Sequence, residues 1–209
     1  MIPGVYRLTR ECHLFLGLFI SPFVLVFSIS AFFLTHSWLP RLGYSRAIHR
    51  ETSALPLPQD LKTLSGRPLI DALIPVLERM GVHGEIGFVK HLIAEDILII
   101  PVQVPGRIAT VSIKIPTGET SIVTRGTGLA HAMTTLHTSP GEHAPAIRMN
   151  WFYIRLWRCF ADATAYLIIF LSISGTYLWI RQKAERVAGS VIILVGALSF
   201  FGLFYALAH

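Results

Sequence analysis

The feature that most constrains the fold is a long uncharged apolar stretch near the start of the chain. It reads HLFLGLFISPFVLVFSISAFFLTH and runs from His13 to His36. As a helix rising roughly 1.5 Å per residue it would be about 34 Å long, slightly more than the ~30 Å hydrocarbon core of a bilayer. The stretch therefore predicts a transmembrane helix with a histidine at each interface.

Two further apolar stretches lie near the C-terminus, from Ala163 to Ile180 and from Val187 to Ala208. Each is about long enough to cross a bilayer, and the helix that contains the first is expected to begin earlier, near Trp151. The sequence is 53% hydrophobic and 14% charged, which is typical of a membrane protein. The predicted fold class is three transmembrane helices with one small α+β domain between the first and the second.

The predicted boundaries of the spans follow the apolar stretches. The polar segment between the first and second spans has the size of one small domain. They give a cytoplasmic tail over 1–11, transmembrane helices over 12–36, 150–181 and 187–208, a domain over 37–149 and a cytoplasmic loop over 182–186.

Basic residues near the span ends predict the orientation. Arg7 and Arg10 precede the first span, and Arg181, Lys183 and Arg186 lie in the loop between the second and third. Because Lys and Arg near span ends are retained in the cytoplasm, the domain is predicted to be periplasmic in a bacterial inner membrane. No A-x-A-like site follows the first span, so we expect an uncleaved anchor.

The domain is predicted to contain one helix followed by a small antiparallel meander. The segment RPLIDALIPVLERMGVHG has apolar residues at helical spacing, with Leu69 and Leu73 on the same face. DILIIPVQV, ATVSIKI and TSIV are predicted strands, because residues such as Val111 and Ile113 alternate with polar ones. Gly106 and Gly118 lie in the predicted turns, PGR and PTGE.

Several classes of function are not favoured by the domain sequence. Its acidic residues have no spacing that brings two carboxylates together, and solvated surface is the favoured interpretation for Glu78, Glu85, Glu95, Asp96 and Glu119. No C-x-x-C or C-x-x-C-H motif occurs, so neither a metal site nor covalent haem is predicted. The net charge of +6 comes without a basic and aromatic stripe, and no nucleic-acid partner is expected.

Three features together resemble the PepSY-associated transmembrane protein family (PepSY-TM). The first span opens with His13 and Gly17 in RECHLFLGLFISPF, the domain has a helix and then strands ending in TGE, and TLH at His137 leads to a span with LSISGTYLW. The most specific parts are His13-x-x-x-Gly17 and the Ser174-Gly175 pair that precedes Leu-Trp.

The resemblance implies a bacterial inner-membrane protein with a PepSY-like periplasmic domain. Larger relatives include haem b-containing reductases that act on ferric siderophores, and such genes often accompany iron uptake. This chain is shorter than those reductases and has three predicted spans, so their activity is not carried over to it.

Histidines near the span ends are candidate axial ligands for haem b, a cofactor that takes imidazole ligands at one depth. The candidates are His36, His137, His13 and His209, with His36 and His137 as the favoured pair at the periplasmic boundary and with His131 and His143 nearby. The alternative is that these histidines are interfacial or hydrogen-bond a neighbouring helix. On the cytoplasmic side, His13 is the only candidate, and no second histidine completes a haem site there. The sequence therefore favours at most one haem per monomer.

Charged residues close to the second span have two interpretations. Arg158 and Asp162 are spaced for a pair on one helix face, which favours a structural ion pair at the membrane boundary over a functional role. In the third span, small residues such as Gly196 and Gly202 lie on roughly one side and are interpreted as a packing face.

The leading hypothesis for function is an accessory or partner-binding membrane protein, in contact with the lipid bilayer and with a membrane or periplasmic partner or a second copy. The alternative is a haem b electron-transfer protein that supports reduction of ferric iron or siderophores. The sequence leaves open whether the chain is an enzyme, and a transporter is less favoured because the spans carry no charge at mid-membrane.

Overall fold

In a computed structural model of the protein, residues 3–36, 47–52, 56–58, 61–139, 147–182 and 185–208 are described. The elements in chain order are α1 (Pro3–Thr35), β1 (Ile48–Thr52), α2 (Gly66–Arg79), β2 (Glu85–Ile86), β3 (Lys90–Leu92), β4 (Ile97–Val104), β5 (Arg107–Lys114), β6 (Thr120–Gly126), α3 (Gly128–Thr138), α4 (Phe152–Arg181) and α5 (Arg186–Ala208). The chain divides into two compact units, Met1–Pro22 with Ala163–His209, and Phe23–Asp162.

Three of the helices, α1, α4 and α5, are long and apolar enough to span a membrane. This confirms the three predicted spanning helices. Helix α1 begins at Pro3, well before the uncharged stretch that starts at His13, so its first turns carry Arg7 and Glu11 as an ion pair 2.8 Å apart. Helical structure thus continues beyond the apolar stretch into charged sequence.

The domain contains an antiparallel sheet with strand order β1-β6-β5-β4-β2, and β3 also pairs with β4. The predicted strands correspond to β4, β5 and β6, whose register places Val111 opposite both Ile100 and Ile122. Gly106 and Gly118 lie in the two turns with φ of +84° and +70°, which glycine adopts at little cost. The predicted meander is confirmed.

The domain core forms between α2 and one face of this sheet. Leu69, Leu73 and Leu77 are buried on α2, as the helical spacing predicts, and Ile100 and Val111 are buried on the sheet. Because strand side chains alternate between faces, the residues between the buried ones point to the other side of the sheet. The small α+β architecture of the domain is therefore confirmed.

Periodicity does not identify the remaining elements of the domain. β1, β2 and β3 are short, and the structure pairs them at the sheet edges. α3 covers GLAHAMTTLHT and has no buried residue, so it lacks the apolar face from which a helix is predicted.

Candidate functional site

His13 joins α1 to α4 through a side-chain hydrogen bond. Its Nδ1 lies 2.8 Å from Ser174 Oγ, and Ser174 is buried. The hydroxyl of Ser174 also lies 3.3 Å from the Leu171 carbonyl oxygen, to which it can donate. Ser174 thus links the imidazole of His13 to the backbone of α4.

Two glycines allow α1 and α4 to approach each other at the contact between His13 and Ser174. A Cβ on Gly175 would lie 3.2 Å from His13 Cε1, and a Cβ on Gly17 would lie 3.8 Å from Leu171 Cδ2. Small residues are the usual means by which helices come close in lipid. The motif residues that carry the family resemblance thus meet in one interhelical contact.

His137 forms a second joint of the same kind, between α3 and α1. Its Nδ1 lies 2.7 Å from Ser30 Oγ, and Ser30 is 1% exposed. The hydroxyl of Ser30 also donates to the Phe27 carbonyl oxygen at 2.7 Å, so Ser30 links the imidazole of His137 to the backbone of α1. The Phe27 ring packs edge-on against His137, with centroids 5.6 Å apart.

Helix α4 completes this second joint through Trp157. The Trp157 indole Nε1 donates to the Leu136 carbonyl oxygen at 2.8 Å, next to His137 in the chain. Trp157 also contacts Phe27, with ring centroids 5.6 Å apart. Helices α1, α3 and α4 therefore meet around His137.

The other candidate histidines lie in different surroundings. His36 follows α1, stacks on Phe32 and places Nδ1 3.0 Å from the Phe32 carbonyl oxygen. His131 lies on α3 and lines a groove of the domain. His143 and His209 lie outside the described residues.

His13, His36 and His137 share one feature: Nδ1 of each imidazole lies within hydrogen-bond distance of a protein oxygen. In the described ranges, no group of three or more His, Cys, Asp or Glu side chains is placed to hold a metal ion. His137 forms no hydrogen bond or ring contact with another described histidine.

Glu85 connects the domain to the start of α4. Its carboxylate accepts from the backbone N–H of Met149 at 2.5 Å and from that of Trp151 at 3.0 Å. Glu85 is only 8% exposed, so the interpretation of this residue as solvated surface is wrong. The burial is stable because both contacts are charge-assisted hydrogen bonds just before a helix N-terminus.

Asn150 adds two hydrogen bonds to the backbone of Ile86, the strand residue next to Glu85. Its Oδ1 accepts from Ile86 N–H at 2.9 Å, and its Nδ2 donates to the Ile86 carbonyl oxygen at 2.8 Å. The side chain thus pairs with β2 as a further strand would. We call Glu85 and Asn150 the domain clamp, because together they fix β2 to the residues that open α4.

Two other acidic residues interact with lysines at the domain surface. Lys62 donates a hydrogen bond to Asp96, which lowers the pKa of Asp96 below its ordinary value, and His91 adds to this effect. Lys114 donates to Glu119 at 2.9 Å and lowers the pKa of that carboxyl group. Neither pair adjoins a second carboxylate in a described contact, so the arrangement is that of surface ion pairs.

Arg158 and Asp162 lie one turn apart on α4. Arg158 Nε is 3.7 Å from Asp162 Oδ2, and the two side chains are 48% and 63% exposed. An additional contact joins Arg158 Nη1 to Met149 Sδ at 3.5 Å. At this distance and exposure the pair contributes little to stability in water.

Sequence reasoning missed Ser30, Glu85 and Asn150. Ser30 is separated from His137 by 107 residues, and Glu85 from Trp151 by 66. Both of Glu85's acceptor contacts are to backbone N–H groups, which every residue except proline offers. The one available signal was a polar residue in an apolar span, which marks Ser30 for an interhelical bond.

The fold and these joints define a class of protein, a small α+β domain connected to helices of membrane-spanning length. A family profile described as PepSY_TM-like matches residues 8–208. The chain belongs to this PepSY_TM-like family, which confirms the resemblance found in the sequence. Comparison with curated proteins and comparison with solved structures each gave no match.

Proposed function

We propose that the protein is an accessory subunit of a bacterial inner membrane, whose PepSY-like domain lies in the periplasm and binds a partner protein. The orientation is supported by the basic residues at one end of the spans. Arg7 and Arg10 lie in the first turns of α1, and Arg181 and Arg186 lie at the end of α4 and the start of α5. Basic residues in short segments of this kind are retained on the cytoplasmic side.

The observation that carries the partner role is an exposed apolar patch on the domain. Phe88, Leu92 and Ile93 are 47%, 41% and 82% exposed, and they lie on or beside β3. A domain outside the hydrocarbon core has no lipid to cover such side chains. Adjacent exposed apolar residues typically mark a binding surface.

The backbone of β3 offers a second means of binding at the same place. β3 pairs with β4 along one edge of the sheet, and all three of its residues are exposed. An extended segment of a partner can add to such an edge through main-chain hydrogen bonds, with its side chains contacting apolar residues. We therefore propose that the partner supplies an apolar, extended segment beside Leu92 and Ile93.

The domain clamp supports a role in which domain and membrane helices act together. Glu85 and Asn150 fix the sheet edge to the residues that open α4, so the domain is not attached through a free linker at this end. A partner bound at β3 is then held close to the membrane. Helix α5 has no buried residue, and Gly196 and Gly202 have open space around them, which supports a packing face for a membrane partner or a second copy.

Co-purification of the full chain from its native membrane tests the partner role. Ile93→Asp places a charge in the patch and is expected to reduce the recovered partner at least about tenfold, because a buried unpaired charge is very costly at an interface. Ile48→Asp is the matched control, since Ile48 is 67% exposed at the opposite sheet edge. Equal recovery with both variants, or no partner with the unchanged chain, contradicts the proposal.

A second candidate function is haem b binding with electron transfer, in support of ferric-iron or siderophore reduction. The observation that favours it is that Nδ1 of His13, His36 and His137 each lies within hydrogen-bond distance of a protein oxygen, the arrangement in which a ligating histidine uses Nε2 for the metal. When bound, haem b supplies one-electron transfer at its iron. This chain's residues would orient the imidazoles through Ser30 and Ser174.

A reduced-minus-oxidised spectrum of the detergent-purified chain tests this candidate. A b-type spectrum near one haem per chain is expected to be lost in His137→Ala and His36→Ala and retained in His91→Ala, whose imidazole contacts Asp96 at the domain surface. Ser30→Ala is expected to shift the reduction potential, since it removes the partner of Nδ1. A colourless protein from haem-replete cells, or an unchanged spectrum in His137→Ala, contradicts haem binding.

A further inference from the structure

A groove on the domain lies beside the start of α3, away from the domain clamp and from β3. It has a volume of about 510 Å³, and its lining includes Ile108, Val123, Arg125, Thr127 and His131. Ile108 is paired with Arg125 across β5 and β6, and Val123 lies two residues before Arg125 on the same face. The groove therefore opens on the face of the sheet opposite the α2 core.

Thr127 lines this groove, and its hydroxyl group is buried without a hydrogen-bond partner. Thr127 is 6% exposed, and its Oγ1 contacts no donor or acceptor in the described structure. Its backbone N–H, in contrast, donates to the Gly106 carbonyl oxygen at 2.9 Å. Buried hydroxyl groups are nearly always hydrogen-bonded, so this one indicates a polar group that approaches from the groove.

The backbone at the same point is arranged to bind an anion. Thr127 has φ −110° and ψ −2°, and Gly128 follows with φ +79°, the succession that turns consecutive N–H groups into one concavity. Gly128 begins α3, whose first turn contains no acidic residue, and Thr127 makes no side-chain cap. The N–H groups of this turn have no partner within the helix and carry its positive dipole end.

One side chain of the groove carries a positive charge, the guanidinium of Arg125. Arg125 is exposed and forms no ion pair with a described carboxylate. His131 lies one turn into α3 and lines the same groove. Arg125 and Thr127 thus line one groove with two apolar side chains, and Thr127 directly precedes the N-terminus of α3.

We propose that this groove binds a phosphate group, with Arg125, Thr127 and the first N–H groups of α3 as its donors. A phosphate has enough oxygens to accept from a guanidinium, a hydroxyl and backbone N–H groups at once, whereas a carboxylate has two. Arg pairs with phosphate in a bidentate geometry. Ile108 and Val123 would contact an apolar part of the ligand, which fits a phosphate ester of either a lipid or a small soluble molecule.

Amide NMR on the full chain in dodecyl maltoside micelles tests the site, because that detergent contains no phosphate. Inorganic phosphate is added at constant ionic strength with chloride as the reference. The Gly128 and Leu129 amide resonances are expected to shift and saturate. Arg125→Gln is expected to weaken binding about tenfold, since a hydrogen bond to a charged group is lost.

Two further variants separate the site from general charge effects. Thr127→Val removes only the hydroxyl; it is expected to fold normally, because that group has no partner, and to weaken phosphate binding about fivefold. Arg79→Gln removes the same charge from the exposed end of α2 and is expected to leave the affinity unchanged. Equal affinities for all three variants and the unchanged chain would overturn the proposal.

Nanodiscs of phosphatidylglycerol and phosphatidylethanolamine distinguish the two sources of phosphate. If the ligand is a lipid headgroup, Gly128 takes its phosphate-bound resonance position in nanodiscs without added phosphate. If the ligand is soluble, nanodiscs leave the resonance unshifted and inorganic phosphate then shifts it. Both results support the site, whereas no shift in micelles and none in nanodiscs overturns it. The test is independent of partner and haem binding.

Discussion

The domain and the membrane helices differ in the share of polar side chains among their buried residues. In the domain, the least exposed residues are apolar, with Leu73 and Val111 at 0% exposed. In α1 and α4, the buried residues include Ser30 and Ser174, while phenylalanine and leucine side chains lie on the outside. α5 goes further, since it has no buried residue at all in its described length.

The difference follows from the solvent that each region meets. Water drives apolar side chains of the domain into the space between α2 and the sheet. Lipid tails accept apolar side chains on the outside of a helix, so polar groups such as Ser30 find their partners between helices. The exposed apolar residues of α1, α4 and α5 thus fit a bilayer, and those beside β3 are the ones to which the proposal assigns a protein partner.

The largest expected effect comes from removing apolar volume in the domain. Leu73→Ala should lower the unfolding free energy of the domain by about 3 kcal/mol, because the side chain is fully buried and leaves a cavity. Leu203→Ala, on the exposed surface of α5, should change it by less than about 0.5 kcal/mol. Pulse proteolysis of the full chain in nanodiscs across a urea series measures the unfolding free energy of both variants. Equal losses in the two variants would contradict the difference between the domain and the membrane helices.

A smaller loss of stability is expected from a substitution at Gly189, where α4 meets α5. The Trp179 indole lies over Gly189, in the position that a Cβ would occupy, and its Nε1 donates to the Glu185 carbonyl oxygen at 3.1 Å. Gly189→Ala should displace the ring and destabilise this corner by about 1–3 kcal/mol, as overpacking does. Gly196→Ala is the control, because that glycine has open space around it. Unfolding in mixed detergent and SDS micelles, followed by circular dichroism, should separate the two variants.

The hydrogen bond between His13 and Ser174 should contribute less to stability than the packing at Gly189. Ser174→Ala removes the hydrogen-bond partner of His13 Nδ1 and is expected to cost about 1 kcal/mol of helix-packing stability. Ser172→Ala is the matched control, since its hydroxyl bonds only the Ile168 carbonyl oxygen of its own helix. The same SDS titration measures both, and the nitrogen shifts of His13 should change only in Ser174→Ala. An unaltered His13 spectrum in that variant contradicts the joint.

The smallest expected effect is on the acid dependence of stability, through Asp96 in the domain. Its folded-state pKa lies below 3.8, so it contributes stability above that pH and loses it as the pH falls through the folded value. Lys62→Met removes the main cause and should raise the Asp96 pKa towards 3.8, which weakens the acid dependence. Carbon NMR of the carboxyl group measures the pKa. Lys114→Met, which acts on Glu119, should leave Asp96 unchanged, and an equal rise in both variants would contradict the assignment.

The sequence predicted the parts of the fold that rest on periodicity. Helix α2 and strands β4 to β6 repeat their apolar residues at the period of their own geometry, and the spans are identified by the length of their apolar stretches, so neighbouring residues are enough in both cases. β1 and α3 do not, because IHRET alternates poorly and α3 has no buried face. Their structure depends on what they pair with, and that partner is distant in the chain.

The candidate site divides in the same way. His13 and His137 were singled out from their position at span ends, and the structure gives each a serine partner on another helix. Glu85 was misassigned, because its backbone partners near Trp151 leave no mark on the sequence. Side chains that bond to backbone groups are the least visible to sequence reasoning, since any residue supplies the same N–H.

Impermeant maleimide labelling in intact cells tests most directly the claim that the domain and the loop after α4 lie on opposite sides of the membrane. Cys12 and Cys159 are first replaced by serine, and a single cysteine is then placed at Ile93 in the domain or at Gln182 after α4. The cysteine at position 93 is expected to be labelled once the outer membrane is permeabilised, and the one at position 182 is expected to be labelled only after lysis. Labelling of the Gln182 position before lysis, with Ile93 protected, would contradict it.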